Sequence, residues 1–140
     1  MGKHRVDCER NAAKRLLPAI REAFPQLKLI VVEDALSANA PHIRLLKELS
    51  MSYIIVAKLT SHTYMVNIIE QRMTVGEGSQ FETTDVDGTN RHYRFINQVP
   101  LNASNPDLLV NYLEYWEITN DGEEYYSTWI TDIELHKGNV

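Results

Sequence analysis

Two adjacent carboxylates, Glu33 and Asp34, are the residues best placed to do chemistry, because they directly follow the apolar run 29–32. In open α/β sheets, ligands and reactive groups gather at the carboxyl ends of the strands. A carboxylate at that edge can bind Mg²⁺, which accepts a few carboxylates and keeps several waters. Neighbouring strand residues point to opposite faces, so one of the two is expected to face a site. In the competing interpretation, Asp34 is a cap that turns the chain into the next helix. The spacing of the residues leaves both the metal-binding role and the capping role open.

The segments around this acidic pair predict a βαβ unit. Residues 27–32 and 53–57 are short apolar runs rich in β-branched side chains, which is typical of buried strands, and the second run ends at Lys58. Ser37 or Asn39 can cap a helix between them. Strand, helix and strand within about 30 residues predict two parallel strands joined by a right-handed crossover.

The rest of the chain changes character. Before the βαβ unit, apolar residues spaced by three and four predict a helix from about 11 to 24, with Pro18 expected to bend it or to move its start. After Lys58, residues 64–73 are ambiguous and compatible with a short helix. Alternating patterns predict strands on both sides of Asp87-Gly88 and a hairpin at Asn120-Asp121-Gly122.

One stretch of this second part reads as irregular. Residues 99–107 contain two prolines and several small polar side chains, which predicts a loop. The following segments 110–119 and 124–131 are the strongest strand predictions of this part. The fold class predicted for the whole chain is therefore α/β, a βαβ unit followed by an antiparallel β-rich region.

Composition and charge narrow the function classes. Of the 140 residues, 44% are hydrophobic and 24% are charged, as in an ordinary globular protein, and no apolar run is long enough to cross a bilayer. The formal charge of −5 argues against a dedicated nucleic-acid-binding domain. The halves differ, however: residues 1–60 carry a balance of +4 and residues 61–140 a balance of −9. A single cysteine and no secretory signal predict a cytoplasmic protein.

The stretch around Asp34 resembles the middle of insertion-sequence DDE transposases, which have an RNase H-like catalytic domain. Six segments share the resemblance, and together they extend over nearly the whole chain: 7–17, 31–43, 45–49, 53–58, 108–116 and 127–132. The resemblance implies a partial RNase H-like core at 1–60, followed by a β-rich insertion subdomain at 61–140 that stops before the next catalytic helix. It also implies DNA, in the form of transposon ends, as the partner of the intact protein.

Enzymes of this group use three acidic residues to hold two divalent metals, Mg²⁺ or Mn²⁺, for attack on a phosphodiester. By position, Asp34 matches the second acid, so the resemblance implies that it is a catalytic residue and a metal ligand. Asp7 does not match the first acid, because it approaches a helix, and Glu134 does not match the third, because it lies on a strand or loop. The implied protein is a fragment lacking the first Asp and the last Glu, inactive by itself.

Basic residues near Asp34 are candidates for phosphate contacts. Lys58 ends a strand at the same sheet edge as Asp34. Arg44 and Lys47 lie on the intervening helix, and for these two the competing interpretation is that they belong to an ordinary solvated helix face. The five histidines show no paired metal spacing. Cys8 has no evident partner and is expected to be a small packed residue.

Two rival functions remain open. The first is a non-catalytic α/β signalling or interaction module in which Glu33, Asp34 and Lys58 form an acidic pocket. The second is a structural remnant whose exposed sheet edges pair with another chain. A homo-oligomer is a separate expectation about the partners of the protein.

Overall fold

The computed structural model describes residues 2–140, with side chains from Ala12 onward. Predictions for Asp7 and Cys8 therefore concern side chains outside the described part. The described chain is mixed α/β, with three helices and a six-stranded sheet. In chain order, the elements are α1 (Gly2–Ala23), β1 (Ile30–Glu33), α2 (Ala40–Glu48), β2 (Ser52–Val56), α3 (Thr63–Thr74), β3 (Ser79–Thr84), β4 (Asn90–Asn102), β5 (Asn105–Ile118) and β6 (Glu124–Thr131).

The sheet has the strand order β1-β2-β6-β5-β4-β3. β1 and β2 are parallel, which confirms the predicted βαβ unit, and the other neighbours are antiparallel. β2 pairs with β6, the last strand of the chain, so hydrogen bonding continues across residue 60. The division of the chain at residue 60 stays a prediction, as does the RNase H-like character of the fold.

The start of helix α2 in the βαβ unit is set by its N-terminal cap, and its orientation is set by its apolar stripe. The Asn39 side chain accepts a hydrogen bond from the backbone N–H of His42 at 2.9 Å, and Pro41 occupies the first turn, where no donor is needed. Ile43 and Leu46 are buried and belong to one apolar cluster with residues of the sheet. Burial of this stripe fixes the face of α2 that lies against the sheet.

All three helices contribute to a core on one face of the sheet. Leu17 of α1 and Met65 of α3 join the α2 residues against alternate residues of the strands, including Tyr53, Ile55 and Ile130. The opposite face is covered only in part, where residues 132–140 turn back near Asn111. Near β1 and β2 that face is exposed, and we call it the open face; its apolar residues are Ile30, Val32, Ile54, Val56 and Trp129.

The predicted loop at 99–107 is wrong. β4 continues through Asn102, and β5 begins at Asn105. A bulge interrupts the register between Ile96 and Val99, with Gln98 at φ 60°, and it returns Val99 to the buried face. The bulge hides the alternation from a sequence reading. Pro100 lies beyond the part of β4 that pairs with β3, and a strand edge tolerates proline.

The other element predictions hold, with shifted ends. The ambiguous segment at 64–73 is the helix α3, and both predicted hairpins form, with Gly88 and Gly122 supplying the positive φ of their turns. α1 begins at Gly2 rather than near residue 11 and continues through Pro18. Among the described residues, no helix combines the length and the apolar character that a membrane crossing requires.

Candidate functional site

Asp34 lies directly after β1, at the edge of the sheet, and caps a short 3-10 turn, Ala35–Ser37. Its Oδ1 accepts a hydrogen bond from the backbone N–H of Leu36 at 3.0 Å. The capping role that competed with metal binding is therefore real. The side chain is also exposed, and among the described residues no hydrogen bond reaches its Oδ2. One carboxylate oxygen remains accessible while the other holds the turn.

Lys58 follows β2, the parallel neighbour of β1, and its side chain is exposed. Asp34 and Lys58 line the same shallow depression, of about 400 Å³, together with Asn39, Ser61 and His62. The carboxyl ends of the two parallel strands thus bring together the acidic and the basic residue that the sequence singled out. This is the position in an α/β sheet where ligands are expected.

His62 is the titratable group that the sequence reading did not assign to this depression. It precedes α3 and is half-buried, and burial lowers the pKa of its imidazole below the ordinary value of 6.5. His62 is therefore neutral at pH 7, so it offers a hydrogen-bonding nitrogen without adding charge beside Lys58. The only sequence signal for it was its position four residues after Lys58.

Glu33 points to the helix-covered face, as strand alternation requires. Its Oε1 lies 2.6 Å from Nε2 of His42, and its Oε2 accepts a hydrogen bond from the Ser37 hydroxyl at 2.9 Å. Burial raises the pKa of Glu33, but the two hydrogen bonds and the charge of His42 outweigh it, and the net pKa is lowered. Glu33 is therefore ionised and engaged at neutral pH.

This Glu33–His42 pair lines a second depression, of about 480 Å³, next to α1. Asp34 borders both depressions, whereas Glu33 borders only the second and Lys58 only the first. His42 is largely buried in this pair, because only 11% of its side chain is exposed. A spacing of nine residues across a strand end and a helix start is no recognisable motif, so the pair could not be predicted.

Arg44 does not line the depression that Asp34 shares with Lys58. Its Nη2 donates to Oδ1 of Asn105 at 3.0 Å and lies 3.4 Å from Oδ1 of Asp107, both at the start of β5. Lys47, on the same helix, lines a different depression, with Asp107 and Asp132. Of the basic residues considered, only Lys58 shares the depression with Asp34. The predicted phosphate contact of Arg44 stays a prediction.

A divalent metal places specific demands on the donor set. Mg²⁺ is bound through one or two carboxylates, waters and substrate phosphates. Asp34 fits as one such carboxylate, because one of its oxygens is accessible at the sheet edge. Among the residues with described side chains, no group of three or more His, Cys, Asp or Glu is arranged to hold a metal ion. The described residues thus fit a metal site to which this chain contributes one protein ligand, Asp34.

Neither protein-family models nor curated proteins match this chain. The assignment of function therefore depends on the residues and on the resemblance described above.

Proposed function

We propose that this chain is part of the catalytic domain of a cytoplasmic DDE transposase that cleaves and joins DNA with Mg²⁺ or Mn²⁺. The observation that carries the proposal is the position of Asp34 beside Lys58, at the carboxyl ends of two parallel strands. A carboxylate and an amine at that edge suit a metal and a phosphate. The resemblance to insertion-sequence transposases supplies the reaction.

In this proposal the residues of the chain have separate roles. Asp34 Oδ1 keeps the turn after β1 in place and leaves Oδ2 accessible, so that Oδ2 would be the metal ligand. Lys58 neutralises a phosphate, and neutral His62 donates or accepts a hydrogen bond at the same depression. The bound metal would activate the attacking hydroxyl and stabilise charge on the phosphodiester. Because only one matching acid is present, we propose that the isolated chain is inactive.

The rival acidic-pocket module is less favoured, because its three residues do not share one depression. Glu33 is bonded to His42 and Ser37 on the other side of the strand. Only Asp34 and Lys58 of the proposed pocket line one depression.

Paramagnetic Mn²⁺ tests the metal role directly, because it broadens the NMR signals of nearby nuclei even when it binds weakly. We expect sub-millimolar to millimolar Mn²⁺ to broaden the amide signals of residues 34–36 and 58–62 first. In Asp34→Asn this broadening should fall several-fold. Asparagine caps helices as well as aspartate does, so the turn is retained and only the charged ligand is lost.

Asp107→Asn is the matched control, because Asp107 is also an exposed aspartate but lies at the start of β5. It should leave the broadening at residues 34–36 unchanged. Equal broadening in the wild-type protein and in Asp34→Asn, or broadening centred elsewhere, would contradict the proposal.

A further inference from the structure

β1 is an edge strand whose outer side has no partner among the described residues. The carbonyl of Leu29 accepts a hydrogen bond from the N–H of Ser52, so the odd-numbered residues of this strand direct their backbone groups towards β2. The N–H and C=O groups of Ile30 and Val32 therefore point outward. An edge of this kind is a template for pairing with another strand.

The side chains of this edge are also unprotected. Lys28, Ile30, Val32 and Asp34 are all exposed, with Ile30 at 58% and Val32 at 73% exposure. They alternate onto the open face, which no helix of the described part of the chain covers near β1. The opposite sheet edge differs, because five of the six residues of β3 are polar. Edge pairing that buries apolar side chains is thus favoured at β1.

Backbone geometry restricts how a second β1 can pair with the first. In an antiparallel pair, residues with outward backbone groups must face each other, so even-numbered residues must pair with even-numbered residues. A two-fold axis at Val31 satisfies this condition and sets Ile30 opposite Val32 twice. Three residues of β1, Ile30–Val32, then face β1 of the other copy. An axis at Val32 overlaps the same number of β1 residues, whereas an axis at Ile30 overlaps only one.

Charge selects among these registers. With the axis at Val31, Lys28 of each copy lies opposite Asp34 of the other, on the open face. An axis at Ile30 instead sets Lys28 opposite Val32, and an axis at Val32 sets it opposite Leu36. Opposite charges across paired strands are stabilising. Backbone parity allows all three axes, overlap disfavours the axis at Ile30, and charge selects Val31 over Val32.

We propose that two copies of this chain associate through antiparallel pairing of their β1 strands about a two-fold axis at Val31. The pairing joins two six-stranded sheets into one of twelve strands and places the two open faces side by side. Because the axis closes the contact between two copies, it makes a dimer and no larger assembly. The contact is small, so the dimer is weak and forms at high protein concentration. This inference does not depend on the proposed transposase function.

Sedimentation equilibrium between about 20 and 500 µM protein, at low ionic strength, tests the association. We expect a monomer–dimer equilibrium that weakens as salt rises, because exposed charge pairs are screened. Lys28→Glu sets like charges opposite each other twice and should weaken the dimer roughly tenfold. Lys47→Glu makes the same charge change on α2 and should leave the equilibrium unchanged.

Val32→Pro gives a second test, because it removes an outward N–H that the monomer does not use. Proline is tolerated at a strand edge in such a position, so the fold should be kept while the dimer is lost. Circular dichroism checks the fold. Should this variant unfold, the Lys28→Glu result decides the proposal.

The register is tested by disulfide formation. In a Cys8→Ser background, Val31→Cys places one cysteine of each copy opposite the other in the proposed dimer. Their Cα atoms are then about 4.5 Å apart, which is within the range that a disulfide can bridge. Oxidation should give a cross-linked dimer, whereas Val56→Cys, on the interior strand β2, should not cross-link. A monomer at all concentrations, a dimer unaffected by Lys28→Glu, higher oligomers, or equal cross-linking of both variants would each overturn the proposal.

Discussion

At the scale of single residues, the adjacent carboxylates Glu33 and Asp34 have different surroundings at the sheet edge. Asp34 is exposed and shares its depression with Lys58, whereas Glu33 is bonded to His42 and Ser37 behind the strand. Strand alternation predicted this separation from the sequence. It could not predict the partners of Glu33, because they depend on how α2 lies against β1.

Lys58 is expected to be the phosphate contact of the depression. Lys58→Ala should weaken binding of a double-stranded DNA oligonucleotide several-fold at low salt with Mn²⁺ present. The plot of log K against log salt should become shallower by about 0.9 for one lost phosphate contact. Fluorescence anisotropy measures both quantities. Lys47→Ala is the control, and an equal loss of affinity in the two variants would speak against a specific role for Lys58.

Glu33 is expected to make stability depend on acid pH. Its folded-state pKa is lowered below the ordinary value of 4.5, so its contribution is complete above that value and is lost as the pH falls through the folded pKa. Glu33→Gln should therefore destabilise the protein at pH 7, and the difference should shrink below pH 4.5. Urea unfolding across pH 3–7 measures this. The exposed Glu48→Gln should show no such trend, and a difference that is constant with pH would exclude the mechanism.

At the scale of elements, the βαβ unit and two of the hairpins could be predicted because their signals are local. Apolar runs, a cap at Asn39 and turn glycines at Gly88 and Gly122 each act within a few residues. The hairpin between β4 and β5 was missed because the bulge at Gln98 breaks its alternation. That bulge is held by a distant side chain, which no local pattern shows.

Asn111 is the side chain that holds the bulge. It is 1% exposed, accepts a hydrogen bond from the N–H of Gln98 at 2.9 Å and donates to the carbonyl of Ile133 at 2.8 Å. Asn111→Ala removes both hydrogen bonds together with the packing of a buried side chain, and should cost about 2–3 kcal/mol of unfolding free energy. Urea denaturation measures the loss. Asn67→Ala, at an exposed position of α3, should change stability by less than about 0.5 kcal/mol.

At the scale of the whole molecule, one sheet joins the basic first part to the acidic second part. Part of the acidic excess is paired: Nη2 of Arg94 lies 2.7 Å from Glu70 and 3.0 Å from Glu114. Charge balance along the sequence distinguished a basic first part from an acidic second part. It carried no information on the pairing of β2 with β6, because that contact joins segments far apart in the chain.

The continuous sheet is expected to unfold as a unit. Both tryptophans, Trp116 and Trp129, lie in the second part, whereas Leu46 is fully buried in the first. Leu46→Ala should lower the unfolding free energy by about 2–5 kcal/mol, and the value should be the same whether unfolding is followed by tryptophan fluorescence or by circular dichroism. Two separate transitions, with the fluorescence midpoint unmoved, would instead support independent parts divided near residue 60.

The position of β2 between β1 and β6 has a consequence for how the chain acquires its structure. β1 is close in sequence, but β2 gains its other neighbour only when Ile54 meets Thr131, 77 residues later. Contacts between such distant segments slow folding, because the intervening chain must be ordered first. During synthesis, one side of β2 therefore stays without its neighbour until Thr131 has left the ribosome, and this unpaired strand edge exposes the nascent chain to aggregation during that interval.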